Sequence, residues 1–220
     1  MFVLRGIFTF KRNDMTEELR PSVLRDEARM SLRGKWNSGA VIILTYVLLL
    51  CVLYTLQELS ALLSFAALLL VASVFSVGFQ WVFLGVSRGD SPDIGEMFAP
   101  FGNYLRVLCT FVLTMLASGI GLALFIVPGI IVSLGLSQTF FILRDNAGIS
   151  AVAAMNRSWA MMRSHKWELF LLELSFLGWG ILALISVIGI FWFIPYVLTA
   201  KAIFYEKVQQ CPCHLEDQEI

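Results

Sequence analysis

The chain has 220 residues, of which 58% are hydrophobic and only 15% charged, with a mean hydropathy of +0.79; a soluble domain carries roughly 25% charged residues. That composition excludes an ordinary water-soluble enzyme and places the chain in a bilayer. Its formal net charge is zero, so no nucleic-acid partner is expected, but the charges are spread very unevenly along the sequence.

Residues 1–20 read as an N-terminal tail. Met1 to Phe10 lacks the long apolar core and small-residue cleavage site of a signal peptide. Met15-Thr16-Glu17-Glu18 opens as a normal polar start, so Met15 is read as the initiator. Pro21-Ser22 then begins a surface helix, with Ser22 as its N-cap and Gly34 as its end. Within it Leu24, Ala28 and Leu32 form a thin apolar edge, and Arg25, Arg29 and Arg33 form a stripe one step round. Such a helix lies on a membrane with its arginines at anionic headgroups, or it is a solvated face in which Asp26 and Glu27 supply counter-charges. Trp36 follows where interfacial aromatics are usual.

Six spans of bilayer length are expected: Gly39 to Leu56, Ala61 to Val86, Leu105 to Phe125, Ile126 to Leu143, Leu169 to Val187 and Ile188 to Tyr205. They pair as three tight hairpins in one all-α membrane domain covering residues 21–207. The apices are Gln57-Glu58-Leu59-Ser60, Val127-Pro128-Gly129 and Val187-Ile188-Gly189, and none carries Lys or Arg. All sixteen basic residues fall on the opposite side. By the positive-inside rule that side, with both termini, is cytoplasmic.

In the second span Ser60, Ser64, Ala72, Ser76 and Gln80 make a small-residue packing row; Gly129, Ser133 and Ser137 make another, ending at Gln138. Ser91-Pro92-Asp93 caps a second surface helix whose Ile94, Met97, Phe98 and Phe101 share one face. A third begins at Asn146 or Ser150, with Val152, Met155, Trp159 and Met162 on its apolar side. The segments 21–88, 91–144 and 146–207 look like repeats. Their last turns, Gln80-Trp81-Val82-Phe83, Gln138-Thr139-Phe140-Phe141 and Lys201-Ala202-Ile203-Phe204, each put a long polar residue three before a phenylalanine.

Glu173 and Lys201 each lie fourteen residues from Val187 at the last apex. On two antiparallel helices equal counts mean equal depth, so the two can meet. One reading is an ion pair that holds the last hairpin together, with Lys201 snorkelling to the interface. The other is a polar site where Glu173, Lys201, Gln80 and Gln138 converge on a substrate headgroup or relay a proton. His165, Lys166 and Trp167 stand at the entry to the fifth span and add to the candidate headgroup face formed by Arg25, Arg29, Arg33 and Trp36.

The sequence has no H-E-x-x-H, G-x-S-x-G or Walker loop, and no enzyme activity or cofactor is expected. Cys51 and Cys109 fall inside spans and Cys211 and Cys213 in the 208–220 tail, so free thiols are expected. The tail's Cys211-Pro212-Cys213-His214 has too few ligands, too close together, for a structural zinc site.

At Ser158, Met162, His165-Lys166-Trp167, Phe170, Leu174-Ser175-Phe176, Trp179, Gly189, Pro195-Tyr196 and Phe204-Tyr205 the chain resembles a bacterial family of polytopic membrane proteins, domain of unknown function 975. The likeness runs from about Leu24, through Ala28-Arg29 and Gly34-Lys35-Trp36, to Tyr205. Ser164 stands where that family usually has glycine. The resemblance implies a six-span bacterial inner-membrane protein and brings no activity, substrate or catalytic residue. The expected function is a non-enzymatic membrane component that binds lipid headgroups or a membrane-protein partner through its basic face, while the small-residue rows are free to pack between copies in a homo-oligomer. A small transporter or permease-like subunit centred on Glu173 and Lys201 is the alternative.

Overall fold

A computed structural model describes residues 16–55, 61–186 and 188–210. The proposed initiator Met15, the first apex 57–60, Val187 and the Cys211 to His214 motif lie outside the described residues. The described residues are all-helical, with no strand among them. In order come α1 (Pro21–Ser31), α2 (Trp36–Thr55), α3 (Ala61–Ser87), a 3-10 helix (Gly95–Asn103), α4 (Tyr104–Leu124), α5 (Ile126–Leu136), α6 (Thr139–Asp145), α7 (Ala151–Met161), α8 (Lys166–Ser186) and α9 (Ile190–Gln209).

Among the described residues four stretches are long and apolar enough to cross a membrane: Leu69–Ser87, Gly95–Leu124, Ile126–Asp145 and Lys166–Ser186. A fifth passes only as the bent pair Pro21–Ser31 and Trp36–Cys51, whose axes differ by 92°. Helix α9, which carries Lys201, Glu206 and Lys207, is not among them. It is nevertheless central, packing on α1, α2, α3 and α8. Each expected hairpin is a packed pair: α2 with α3, α4 with α5, and α8 with α9.

Helix α1 starts two residues earlier than a cap at Ser22 would place it. Pro21 takes the first helical position and Arg20 precedes it without a side-chain cap, because proline already has the right φ and no N–H needing a partner. Ser22 is therefore inside the helix rather than its cap. Gly34 closes the segment at φ +78°, a left-handed conformation that favours glycine, and the chain then turns into α2. Leu24, Ala28 and Leu32 are fully buried. The apolar edge of α1 is covered by α9, α8 and α3, so this edge is unavailable to insert into lipid.

The second surface helix is a 3-10 helix, with Pro100 inside it. Asp93 begins it by accepting from the Gly95 N–H at 3.0 Å. Of the four expected apolar-face residues only Met97 is buried; Ile94, Phe98 and Phe101 are exposed. Side chains at i and i+3 eclipse in this helix type. Phe98, Phe101 and Tyr104 accordingly stack in a ladder with 6.2 Å between successive rings. Helix α3 meets this segment at Gly78, where a Cβ would collide with the Met97 carbonyl. Thus its closest approach is not on the expected row, of which Ser76 and Gln80 are only half-buried and Ser60 is not described. In the next hairpin Gly129 does pack tightly, against Leu122, while Ser133 is exposed.

Helix α7 begins at Ser150, whose hydroxyl accepts from the Ala153 N–H at 3.3 Å, the second of the two expected starts. Its buried face is Ala154, Ser158 and Met161, with Met162 buried just beyond its end, whereas Val152 is exposed. The face is the expected one rotated by one residue, with Ala154 and Ser158 in place of Met155 and Trp159. The three phenylalanines of the repeated last turn, Phe83, Phe141 and Phe204, are all buried in the core.

Candidate functional site

The charged residues gather at the end of the molecule opposite the α4–α5 and α8–α9 tips. There the exits of the three repeat-like units meet. Arg88, just past α3, forms a bidentate pair with Asp145 at the end of α6, with both contacts at 2.9 Å, and its Nε donates to Glu206 of α9 at 2.9 Å. The Tyr205 hydroxyl donates to Asp145 at 2.9 Å. The hydrogen bonds from Arg88 to Asp145, reinforced by Glu206, raise the Arg88 pKa above its ordinary value, so its charge is fixed. Sequence reading did not single out this hub; Arg88, Asp145 and Glu206 each lie within one residue of the end of a unit, which was the available signal.

Further pairs close around it. Arg144 binds Glu96 at 2.6 Å and also the Trp81 carbonyl. Lys207 binds Glu27 of α1 at 2.6 Å and the Glu18 carbonyl at 3.3 Å. Lys35 donates to the carbonyls of Gly89 at 2.8 Å and Asp90 at 2.6 Å. A cleft of about 300 Å³ lies between α1 and the ends of α3 and α9, with Glu27, Ser87, Glu206 and Lys207 in its walls. Neither Glu173 nor Lys201 lines it.

Those two residues meet as the hairpin arithmetic requires: Lys201 Nζ is 2.7 Å from Glu173 Oε1, with side chains 30% and 38% exposed. The two glutamines do not join them. Gln80 donates to the Ser76 carbonyl within its own helix at 3.5 Å. Gln138 is fully buried at the break between α5 and α6. Its side-chain amide donates to Ser137 at 3.1 Å, and its Oε1 has no partner among the described residues. The Ser158 hydroxyl bridges this break: it donates to the Gly135 carbonyl at 2.8 Å and accepts from the Gln138 N–H at 3.2 Å. Both backbone groups left over by the interrupted helix are thereby satisfied. The expected four-residue polar site is therefore an ion pair and two separately held glutamines.

The candidate headgroup face also divides. Arg29 and Arg33 are exposed and Arg25 half-buried. Trp36 packs on Tyr196, with ring centroids 6.1 Å apart, and is half-buried. His165 is only 8% exposed, so it is unavailable as a headgroup contact; it lies in the turn after α7, where the chain folds back on the bundle. Lys166 sits over the Trp159 ring, 3.6 Å from its centroid, and Trp167 is 65% exposed. Cys51 and Cys109 are free thiols.

The described residues contain thirteen Lys and Arg, of which Arg20, Arg88, Arg144, Lys201 and Lys207 are in ion pairs. Eight remain without a carboxylate partner, against five acids, Glu18, Asp26, Asp90, Asp93 and Glu168, in the same state. The surplus is basic. A model of the family described as "Protein of unknown function (DUF975)" matches residues 120–211, from late α4 to the end of α9. The likeness expected from Leu24 onward is thus found over the C-terminal part of the chain. No curated protein and no solved structure matches it.

Proposed function

From a chain whose residues 120–211 match a family of unknown function, we propose a non-enzymatic component of the bacterial inner membrane that engages anionic lipid headgroups through its charged end. In this reading α2, α3, α4, the α5–α6 pair, α8 and α9 are six crossings, and both termini are cytoplasmic. The observation that carries it is the unpaired basic surplus beside an exposed interfacial tryptophan. Near an anionic leaflet each such basic residue contributes about 1 kcal/mol of attraction, and tryptophan favours the headgroup layer. Burial of the α1 edge means that its arginines act from a rigid platform rather than from a helix that dips into lipid.

The test uses the full chain in a mild detergent, with thermal unfolding followed as phosphatidylglycerol or phosphatidylcholine is added. The anionic lipid is expected to raise the midpoint more than the zwitterionic one, and Arg25→Glu, Arg29→Glu and Arg33→Glu together should reduce that difference. Equal stabilisation by both lipids would remove the reading. The alternative of a small transporter has one observation in its favour: the buried, unpartnered Oε1 of Gln138 at an interrupted helix, a feature that lines the binding sites of many transporters.

A further inference from the structure

The proposed headgroup face has one place built to hold a single lipid, at the start of α8. Arg163 lies in the turn before that helix and is exposed; its backbone N–H donates to the Ala160 carbonyl, while its side chain makes no hydrogen bond or ion pair among the described residues. Lys166 opens the helix, rests on the Trp159 ring and has no carboxylate partner there. The two cations stand three residues apart, one in the turn and one on the first residue of the helix it leads into. The acid of the first turn, Glu168, pairs with neither, and its Oε2 is buried. Two like charges held together with no counter-ion attract a phosphate, which accepts hydrogen bonds from both.

Directly beyond the cations an apolar strip runs down the outside of α8. Trp167, stacked on Phe170 with centroids 5.5 Å apart, leads to exposed Leu174, Leu177, Ile181 and Ile185. Spacings of seven, three, four and four keep these on one side of a helix. From Trp167 to Leu177 the helix rises about 15 Å, half the thickness of a hydrocarbon core. The strip is thus one leaflet deep where it meets the charges. Gly178, beside it, faces open space, so no side chain interrupts its width.

We propose that Arg163 and Lys166 clamp the phosphate of one anionic glycerophospholipid, with its glycerol beside Trp167 and an acyl chain along Leu174 and Leu177. The site rests on the headgroup reading above and narrows it from a diffuse face to one position and one ligand class. The lysine is already fixed over Trp159, so its rotamers are restricted before the lipid arrives, which lowers the entropy lost on binding.

Native mass spectrometry of the full chain in detergent tests this, with phosphatidylglycerol titrated against phosphatidylcholine. One phosphatidylglycerol per chain is expected to bind preferentially, and R163Q/K166Q should weaken it at least tenfold. K166R should retain it, and thermal unfolding of each variant checks that the fold persists. Charge-neutral Gln at Arg25, Arg29 and Arg33 should weaken the further phosphatidylglycerol adducts held by the diffuse face and retain this first, single one. If that triple variant loses the lipid while R163Q/K166Q keeps it, the α8 site is wrong although the headgroup reading survives. If neither variant matters and the two lipids bind alike, both fall. Soluble glycerophosphate binding as tightly as the lipid would overturn the role of the strip. So would a lipid-free dimer that L174N/L177N returns to monomer, since the strip would then join two copies.

Discussion

Ser158 shows how much one hydroxyl can do in a membrane bundle. It serves Gly135 and Gln138 at once where α5 gives way to α6. Ser158→Ala strands a buried carbonyl and a buried N–H, each of which costs about 1–3 kcal/mol when unpaired. We expect a marked fall in the unfolding midpoint of S158A, whereas Ser150→Ala, which removes an exposed cap, should lose about 1 kcal/mol. The neighbouring Gly135 admits the Trp159 ring, which a Cβ would overlap, and this contact also positions the ring under Lys166. Gly135→Ala should therefore both destabilise the chain and weaken the proposed lipid site, readable by unfolding and by lipid titration. The Glu173–Lys201 pair invites a double-mutant cycle. Glu173→Gln and Lys201→Met should each destabilise, and the double variant should recover part of the loss, a coupling of about 0.5–3 kcal/mol. Single variants as stable as the parent would show that the fold does not need the pair.

At the scale of elements, hairpin register was legible in the sequence because it is a matter of counting. Equal distances from Val187 brought Glu173 to Lys201, and the shared Gln or Lys to Phe spacing marked Phe83, Phe141 and Phe204, all three buried. What covers an apolar face was not legible. Leu24, Ala28 and Leu32 have the period of a membrane-surface helix, yet that period is the same whether lipid or α9 lies opposite. The 3-10 helix was missed for a related reason: Met97, Phe98 and Phe101 fit an α-helical face, and only Pro100 pointed to a tighter winding. Gln80 and Gln138 were grouped by analogous position in their repeats, but each helix turns its glutamine to a different neighbour. The packing of α3 on the 3-10 helix gives a prediction of its own. Gly78→Ala forces the Met97 backbone to move and should cost about 1–3 kcal/mol, whereas Gly102→Ala, with open space around it, should be nearly silent in the same unfolding assay.

For the whole molecule, the arrangement of charge is the organising fact. Three exits converge on Arg88, Asp145 and Glu206, while the described tips of the hairpins carry no charge. In the proposed reading this end stays in water, and its unpaired basic residues hold it against the cytoplasmic leaflet. Cutting the hub should loosen all three units together. Arg88→Met leaves Asp145 and Glu206 without their shared cation, so proteolysis should open the α3–3-10 connection and the α6–α7 connection in parallel. The family match covers the second half of this arrangement, including Ser158, the α8 entry and the exit of α9.

The most direct test of the account is sidedness. In a chain with its four native cysteines replaced, Val127→Cys at the α4–α5 tip and Gly148→Cys between α6 and α7 are labelled in intact cells with a membrane-impermeant maleimide. Val127→Cys should label from outside and Gly148→Cys only after the inner membrane is opened. Labelling of Gly148→Cys in intact cells, with Val127→Cys protected, would place the basic end on the wrong side and contradict the lipid-anchoring account at its base.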